Sequence, residues 1–171
     1  MKKRYRYFLG CIVTLILLIA VLSVFFEISR VDVSGKSMMP TLYPGDFLLS
    51  ARYATFERYG IVVIDDPRSS EKLVKRIIGL PGEEIQIRKG YVFVNGVPLT
   101  EPYLSAVYRS PETDPVRGPL KIPPDSYYVL GDNRYFSRDS RAFGVVHQSA
   151  IHESVIAVIS PPWSRKIFWN N

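Results

Sequence analysis

Cysteine is almost missing from this chain of 171 residues: Cys11 stands alone. No disulfide can therefore form within the chain, and cysteine usage says nothing about its compartment. Histidine is nearly as scarce, with only His147 and His152. Neither has a Cys or His partner at metal-ligand spacing, and neither sits in a pattern that suggests a Ser-His-Asp triad. Both read as surface or structural residues. No five basic residues run together with interleaved aromatics, so the net charge of +6 speaks for an anionic membrane surface over nucleic acid. No internal repeat is visible, which argues against solenoids and propellers. After residue 27 helix signals are few, and only Ser149 to Val155 reads as a turn or two of helix. Hydrophobic residues, at 47%, are too abundant for a disordered chain. The length suits a single domain with an ordinary core.

What is present begins with charge and then its absence. Residues 1–7 form a basic N-terminus with Lys2, Lys3, Arg4 and Arg6, and Phe8 to Phe26 then runs nineteen residues without a charge. About twenty apolar helical residues cross the hydrocarbon core of a bilayer. The basic flank belongs in the cytoplasm, which puts the C-terminal part on the other side. A cleavable signal peptide has a shorter apolar core and a small-x-small exit, and the exit SVFFEIS matches this poorly. A lipid-modified Cys11 does not fit either, because the apolar run follows the cysteine. Residues 8–26 therefore read as a retained transmembrane anchor, and residues 27–171 as one domain outside the cytoplasm.

That domain reads as mostly β. The stretches VDVSG, DFLLSARY and GIVVID are short, β-branched or aromatic, and bounded by Gly, Pro and Asp. EEIQIRKG and YVFVNGVPL alternate apolar and polar positions, with turns at Lys89-Gly90 and Asn95-Gly96. Strand character returns in SYYVLGD and SVIAVIS. Residues 99–124 are rich in proline and polar residues without a clear period, and read as a reduced surface excursion. The expectation is an antiparallel β-sheet or barrel-like catalytic domain behind one N-terminal transmembrane helix.

Three segments carry candidate chemistry. In SGKSMMPTL, Ser37 sits in a turn between Gly35 and Pro40. The turn is either a simple polar bend or a nucleophile beside backbone N–H groups able to cradle an oxyanion. A serine hydroxyl needs a base to take its proton, and a lysine can serve when desolvation keeps it neutral. In LVKRIIGLPGE, strand alternation places Lys75 between Leu73 and Ile77, with the charge of Arg76 on the opposite face. Lys75 is either that desolvated base or an edge lysine whose ammonium reaches water. GDNRYFSRDSR gathers Asp132, Asn133, Arg134, Ser137, Arg138, Asp139, Ser140 and Arg141. It is either a solvated loop or a buried polar network, with Asp139 and Arg141 spaced to pair.

Together these segments resemble bacterial type I signal peptidases, membrane-bound serine proteases with a Ser–Lys dyad. The pieces that match are SGKSMMPTL with GDF, GIVVIDDP, LVKRIIGLPGE with YVFVNG, and GDNRYFSRDSRAFG. They occur in the family's order and, with the anchor, cover most of the chain apart from about residues 99–124 and the tail. The resemblance implies Ser37 as nucleophile, Lys75 as general base, and Ser137 as the serine that holds the lysine amine. It implies the N–H of Ser37 as an oxyanion donor, and Asp132, Arg76, Asp139 and Arg141 as supports. Gly35 departs from the Gram-negative pattern, where a serine adds a side-chain donor. The single span and the short stretch before GDN resemble compact members found in Gram-positive bacteria and elsewhere.

The implied activity is removal of signal peptides from exported preproteins, cutting after small residues of the A-x-A type. It needs no cofactor, metal or nucleic acid. The implied partners are preproteins and the lipid bilayer, and the enzyme is expected as a monomer. It would be single-pass in the cytoplasmic membrane, with its N-terminus in the cytoplasm and its catalytic domain on the outer face. Met38 and Met39 supply flexible apolar surface that either lines the substrate pocket or touches lipid. Trp163, Phe168 and Trp169 either rest at the membrane interface or pack ordinarily. Two other readings stand beside this one. One is a specialised processing protease with a single client such as a pilin or conjugation factor. The other is a non-catalytic membrane-tethered assembly protein.

Overall fold

Alternating apolar residues between Gly, Pro and Asn turns give this chain its strands, and the strands pair antiparallel throughout. The computed structural model describes residues 2–25, 27–52, 55–110 and 117–162, with the side chains of residues 2–6 and 22–25 outside that description. Trp163, Phe168 and Trp169, and the end of the expected anchor at Phe26, also lie outside the described residues.

Helix α1 runs from Lys2–Phe25. Its side chains are described only from Tyr7 to Val21. Among the described residues no helix is long and apolar enough to cross a membrane. The chain then enters β1 (Ile28–Asp32), β2 (Phe47–Ala51), β3 (Ile61–Asp65) and β4 (Lys72–Gly79). Next come β5 (Glu84–Arg88), β6 (Tyr91–Val94), β7 (Val97–Pro98) and β8 (Arg117–Lys121). The last elements are β9 (Ser126–Leu130), the one-turn helix α2 (Ser140–Phe143), β10 (Val146–His147) and β11 (Ile151–Ile159).

These strands form two sheets. The larger has seven strands in the order β1-β2-β11-β3-β4-β9-β10, and the smaller has four in the order β7-β6-β5-β8. Both expected turns of the small sheet are present. Lys89 and Gly90 have φ of 49° and 74°, and Asn95 and Gly96 have φ of 50° and 78°. Positive φ at both central residues is what a tight hairpin with right-handed strand twist requires. They fix the register of β5 against β6, Ile85 opposite Val94, and of β6 against β7, Val94 opposite Val97.

Two readings are corrected. Residues 149–155 do not form the expected helix: a 3-10 turn covers Gln148–Ala150, and β11 starts at Ile151. The β-branched residues there fill a gap between β2 and β3, where both neighbours offer backbone partners. The α-helical turn is at Ser140–Phe143, where Asp139 caps it by accepting from the Arg141 N–H. Residues 99–124 are more than a surface excursion. They contribute β8 to the small sheet and bury Glu101 and Ser110. No local period marks this, because the proline-rich sequence is held by long-range partners.

Strand β4 positions the site. It lies between β3 and β9 and passes from an exposed first residue to five consecutive buried ones, Lys75 to Gly79. Apolar clusters pack along it. One joins Ile77 to Val62, Ile64, Val129 and Ile151, and another joins Ile78 to Ile85, Val92, Ile122 and Leu130. Gly79 closes the strand where β4 meets the small sheet. A Cβ there would collide with Ile122 Cδ1 and lie 3.0 Å from Tyr128 Cβ. Gly79→Ala should therefore overpack this joint and cost about 1–3 kcal/mol. A lower urea midpoint with an unchanged slope is the expected result.

Candidate active site

The loop from Val33 to Asp46 carries Ser37, and its base is tied shut. Val33 N–H donates to the Asp46 carbonyl at 2.9 Å, and Gly45 N–H donates back to Val33 at 2.8 Å. Asp46 also accepts from the Tyr43 N–H at 2.9 Å. Within the loop, Leu42 N–H donates to Met38 O at 2.9 Å. Met38 and Leu42 then plug into the sheet beside Val33 and Leu48, against Ile61, Val74 and Val155. Ser37 is thus half-buried beside a rigid apolar plug. None of the backbone hydrogen bonds among the described residues uses the Ser37 N–H. Nothing lies within 4 Å of a Cβ built on Gly35, so that approach is open.

Lys75 meets this turn from β4. Its Nζ donates to Ser37 Oγ at 2.9 Å and to the Val74 carbonyl at 2.8 Å. The side chain is only 2% exposed, and a lysine that deep is rare without a reason. Burial lowers its pKa from 10.5 to about 8, against the opposing pull of Asp139 and Asp132. Loss of hydration disfavours the ammonium, and the nearby carboxylates favour it; burial is the larger effect.

Both carboxylates are engaged by arginines. Arg76 grips Asp132 in a bidentate pair, Nε to Oδ1 at 2.8 Å and Nη2 to Oδ2 at 2.6 Å, and Thr41 Oγ1 also donates to Asp132. Arg76, read on the face opposite Lys75, is itself buried. It is 7% exposed, donates to the Tyr59 carbonyl at 2.7 Å, and lies over the Tyr103 ring at 4.0 Å. Asp139 accepts from Arg141 Nε at 2.8 Å and Nη2 at 2.9 Å, and from the Gly131 N–H at 3.0 Å. Burial pushes the Asp139 carboxyl up, but the hydrogen bonds and charge of Arg141 together with the Gly131 N–H outweigh it and hold it below the usual carboxylate range.

The segment Gly131 to Arg141 is stitched to the serine loop. Asn133 N–H donates to the Ser37 carbonyl at 2.9 Å, and Asn133 Nδ2 to Lys36 O at 3.2 Å. A Cβ on Gly131 would sit 2.5 Å from the Ser37 carbonyl oxygen and against the Ser137 side chain. Only glycine lets these two segments close up. The Ser137 hydroxyl is buried on the Asp139 side of the segment. It lies near enough to Asp139 to help keep that carboxylate ionised. The structure therefore places Ser137 beside the pair, while the second acceptor for the Lys75 amine is the Val74 carbonyl and not this hydroxyl.

Met38 is 1% and Met39 9% exposed, so neither offers surface to lipid. His147 accepts from the Ser149 N–H at the surface, and His152 Nε2 lies 2.6 Å from Asp65 Oδ1. Among the described residues no three His, Cys, Asp or Glu gather to hold a metal ion. Sequence reasoning missed Glu101 and Tyr103. Glu101 is buried and paired with Arg134, and the Tyr103 hydroxyl donates to it at 2.8 Å. Burial, with the Glu101 charge, pushes the Tyr103 hydroxyl pKa up. An isolated Glu before Pro102 carries no local signal of such a role.

The family model described as signal peptidase, peptidase S26, matches residues 5–160. Signal peptidase I V of Bacillus subtilis strain 168 is 37% identical over 94% of this chain and 98% of its own. Signal peptidase I T of the same strain is 35% identical over 88% of this chain and 84% of its own. A solved signal peptidase I from Enterococcus faecalis V583 superposes with a TM-score of 0.52 at 34% identity, covering 61% of this chain and 98% of that one. Fold, sequence match and structural neighbour agree on a hydrolase of peptide bonds. The chain belongs to the signal peptidase family, peptidase S26.

Asp132→Asn should destabilise the protein by about 3–5 kcal/mol, because it leaves the buried Arg76 guanidinium without its counter-charge. Denaturant titration checks this, and an unchanged midpoint would mean that Arg76 finds water in the folded protein.

Proposed function

We propose that this chain removes signal peptides from exported preproteins, with Ser37 as nucleophile and Lys75 as general base. The observation that carries the reading is the 2.9 Å contact between Lys75 Nζ and Ser37 Oγ in a site where burial brings the amine down to about 8. The neutral amine takes the hydroxyl proton as the Ser37 oxygen attacks the carbonyl carbon of the scissile bond. The uncommitted N–H of Ser37 faces the oxyanion that forms. Lys75, now protonated, gives its proton to the departing amine as the C–N bond breaks, leaving an ester on Ser37. A water then loses its proton to Lys75, attacks the ester, and releases the signal peptide while the serine regains its hydrogen.

The supports follow from the same geometry. Arg76 with Asp132, and Arg141 with Asp139, hold the walls around the amine and draw the field of each carboxylate toward an arginine. Ser137 closes the side of the pocket next to Gly131. Gly35 leaves room for substrate backbone, so a second oxyanion donor comes from backbone and not from a side chain at that position. Small residues one and three positions before the cut suit a site walled by a rigid loop.

Placement at the membrane belongs to the same proposal. The nineteen uncharged residues from Phe8 to Phe26 lie mostly within a helix of 24 residues, behind the basic residues Lys2, Lys3, Arg4 and Arg6. That arrangement anchors the chain once, with its N-terminus in the cytoplasm and residues 27–171 outside it. Enzyme and preprotein, both tethered, then meet at high effective concentration.

Ser37→Ala and Lys75→Arg should each abolish cleavage of a purified preprotein while the thermal midpoint shows a folded protein, since guanidinium cannot serve as base. Sequencing the new N-terminus made by the unaltered enzyme checks the cut, and turnover retained by Ser37→Ala would remove the nucleophile assignment. The base works only when neutral, so kcat/KM should rise with pH and level off above about 8. A rise that continues toward 10.5 would mean an amine in contact with water.

A further inference from the structure

Two aromatic rings in succession stand out of the segment that shapes the site. Tyr135 is 54% and Phe136 76% exposed, and neither belongs to the apolar clusters of the core. Their exposure is imposed by the residues around them. On one side Arg134 is buried, donates Nε to the Gly131 carbonyl at 3.0 Å, and pairs with Glu101. On the other side Arg138 pairs with the buried Asp66. The turn is closed by Phe136 N–H donating to Asn133 O at 3.2 Å, and Asn133 N–H reaches the carbonyl of Ser37 itself. Arg134 N–H also donates to Tyr108 O at 2.9 Å, beside Val107, which is 76% exposed. A pinned loop thus holds an apolar lip next to the nucleophile.

The side of the site on which this lip stands has a chemical meaning. A base that gives its proton to the departing amine must face the leaving group. The carboxylates that act on Lys75, Asp132 and Asp139, flank the rings in the same segment. Chain leaving past Lys75 is the part downstream of the cut. Resting on the proposed roles of Ser37 and Lys75, we propose that Tyr135 and Phe136 receive the first residues of the mature chain, after the scissile bond, and favour apolar or aromatic side chains there. Rings presented at the surface with little side-chain freedom suit such contacts.

The test uses the full chain and two soluble peptides that are identical up to the cut and carry no membrane segment. One has Leu and Phe within the three residues after the cut, and the other has Ser and Gly there. The unaltered enzyme should prefer the apolar peptide by about tenfold in kcat/KM, the scale of a modest apolar contact. Tyr135→Ser with Phe136→Ser should bring the apolar peptide down to the level of the polar one, and Phe136→Leu should keep part of the preference. Both rings are exposed, so an unchanged thermal midpoint should accompany these effects. The inference is overturned if the double variant keeps the full preference, or if both peptides lose rate equally. It is also overturned if only preprotein in vesicles is affected, which would assign the rings to the bilayer. Ser37→Ala separates the two claims, because peptide cleavage by that variant would defeat the proposed chemistry itself, whatever the rings do.

Discussion

Water keeps a lysine charged, and the central fact of this molecule is that water is kept from Lys75. The side chain leaves the buried half of β4, where Val62 lies opposite in β3 and Met38 and Leu42 plug the space above the sheet. An ammonium there would surrender most of its hydration, so the proton is held more weakly. The two carboxylates nearby work against this. Each is tied to its own arginine, Asp132 to Arg76 and Asp139 to Arg141. Their fields are therefore spent largely on guanidinium groups, and burial remains the larger effect on the amine.

That arrangement constrains the rest of the fold. Charged residues at consecutive positions of a buried strand are expensive unless each finds a partner. Lys75 finds the serine loop, and Arg76 finds Asp132 at the end of β9. The loop that carries Ser37 and the segment that carries Asp132 must therefore meet over the same strand, and Gly131 lets them close without a side chain between them. Further out, Tyr103 lies against Arg76 and bonds Glu101, which pairs with Arg134. The polar groups around the amine thus form one connected set, with partners drawn from four distant parts of the chain. Contacts run from Glu101 through Arg134 to the Gly131 carbonyl, in the segment whose Asn133 N–H holds the Ser37 carbonyl.

Much of the fold was legible because its signals are local. The Lys89-Gly90 and Asn95-Gly96 turns were readable from residue type, as only certain residues accept positive φ at both positions. The strands with clear alternation stand where patterning put them. Residues 149–155 were read as a turn or two of helix and instead lead into a strand, since a short stretch takes the structure its neighbours offer. For 151–159 that offer was two open strand edges. Residues 99–124 carry no period, because β8 and the buried Glu101 are held by partners far along the chain.

The amino-acid sequence by itself determined the residue types able to do the chemistry, their order along the chain, the uncharged N-terminal run, and the strand-and-turn grammar of the domain. Each of these depends on a residue and its near neighbours. Tertiary structure decided which of two open readings applied to Lys75, sealed from water or reaching it. It also decided that Arg76 is buried, that Met38 is core, and that Tyr135 and Phe136 are left outside. Desolvation is set by everything that surrounds a group, and those surroundings are assembled only when the strands have paired.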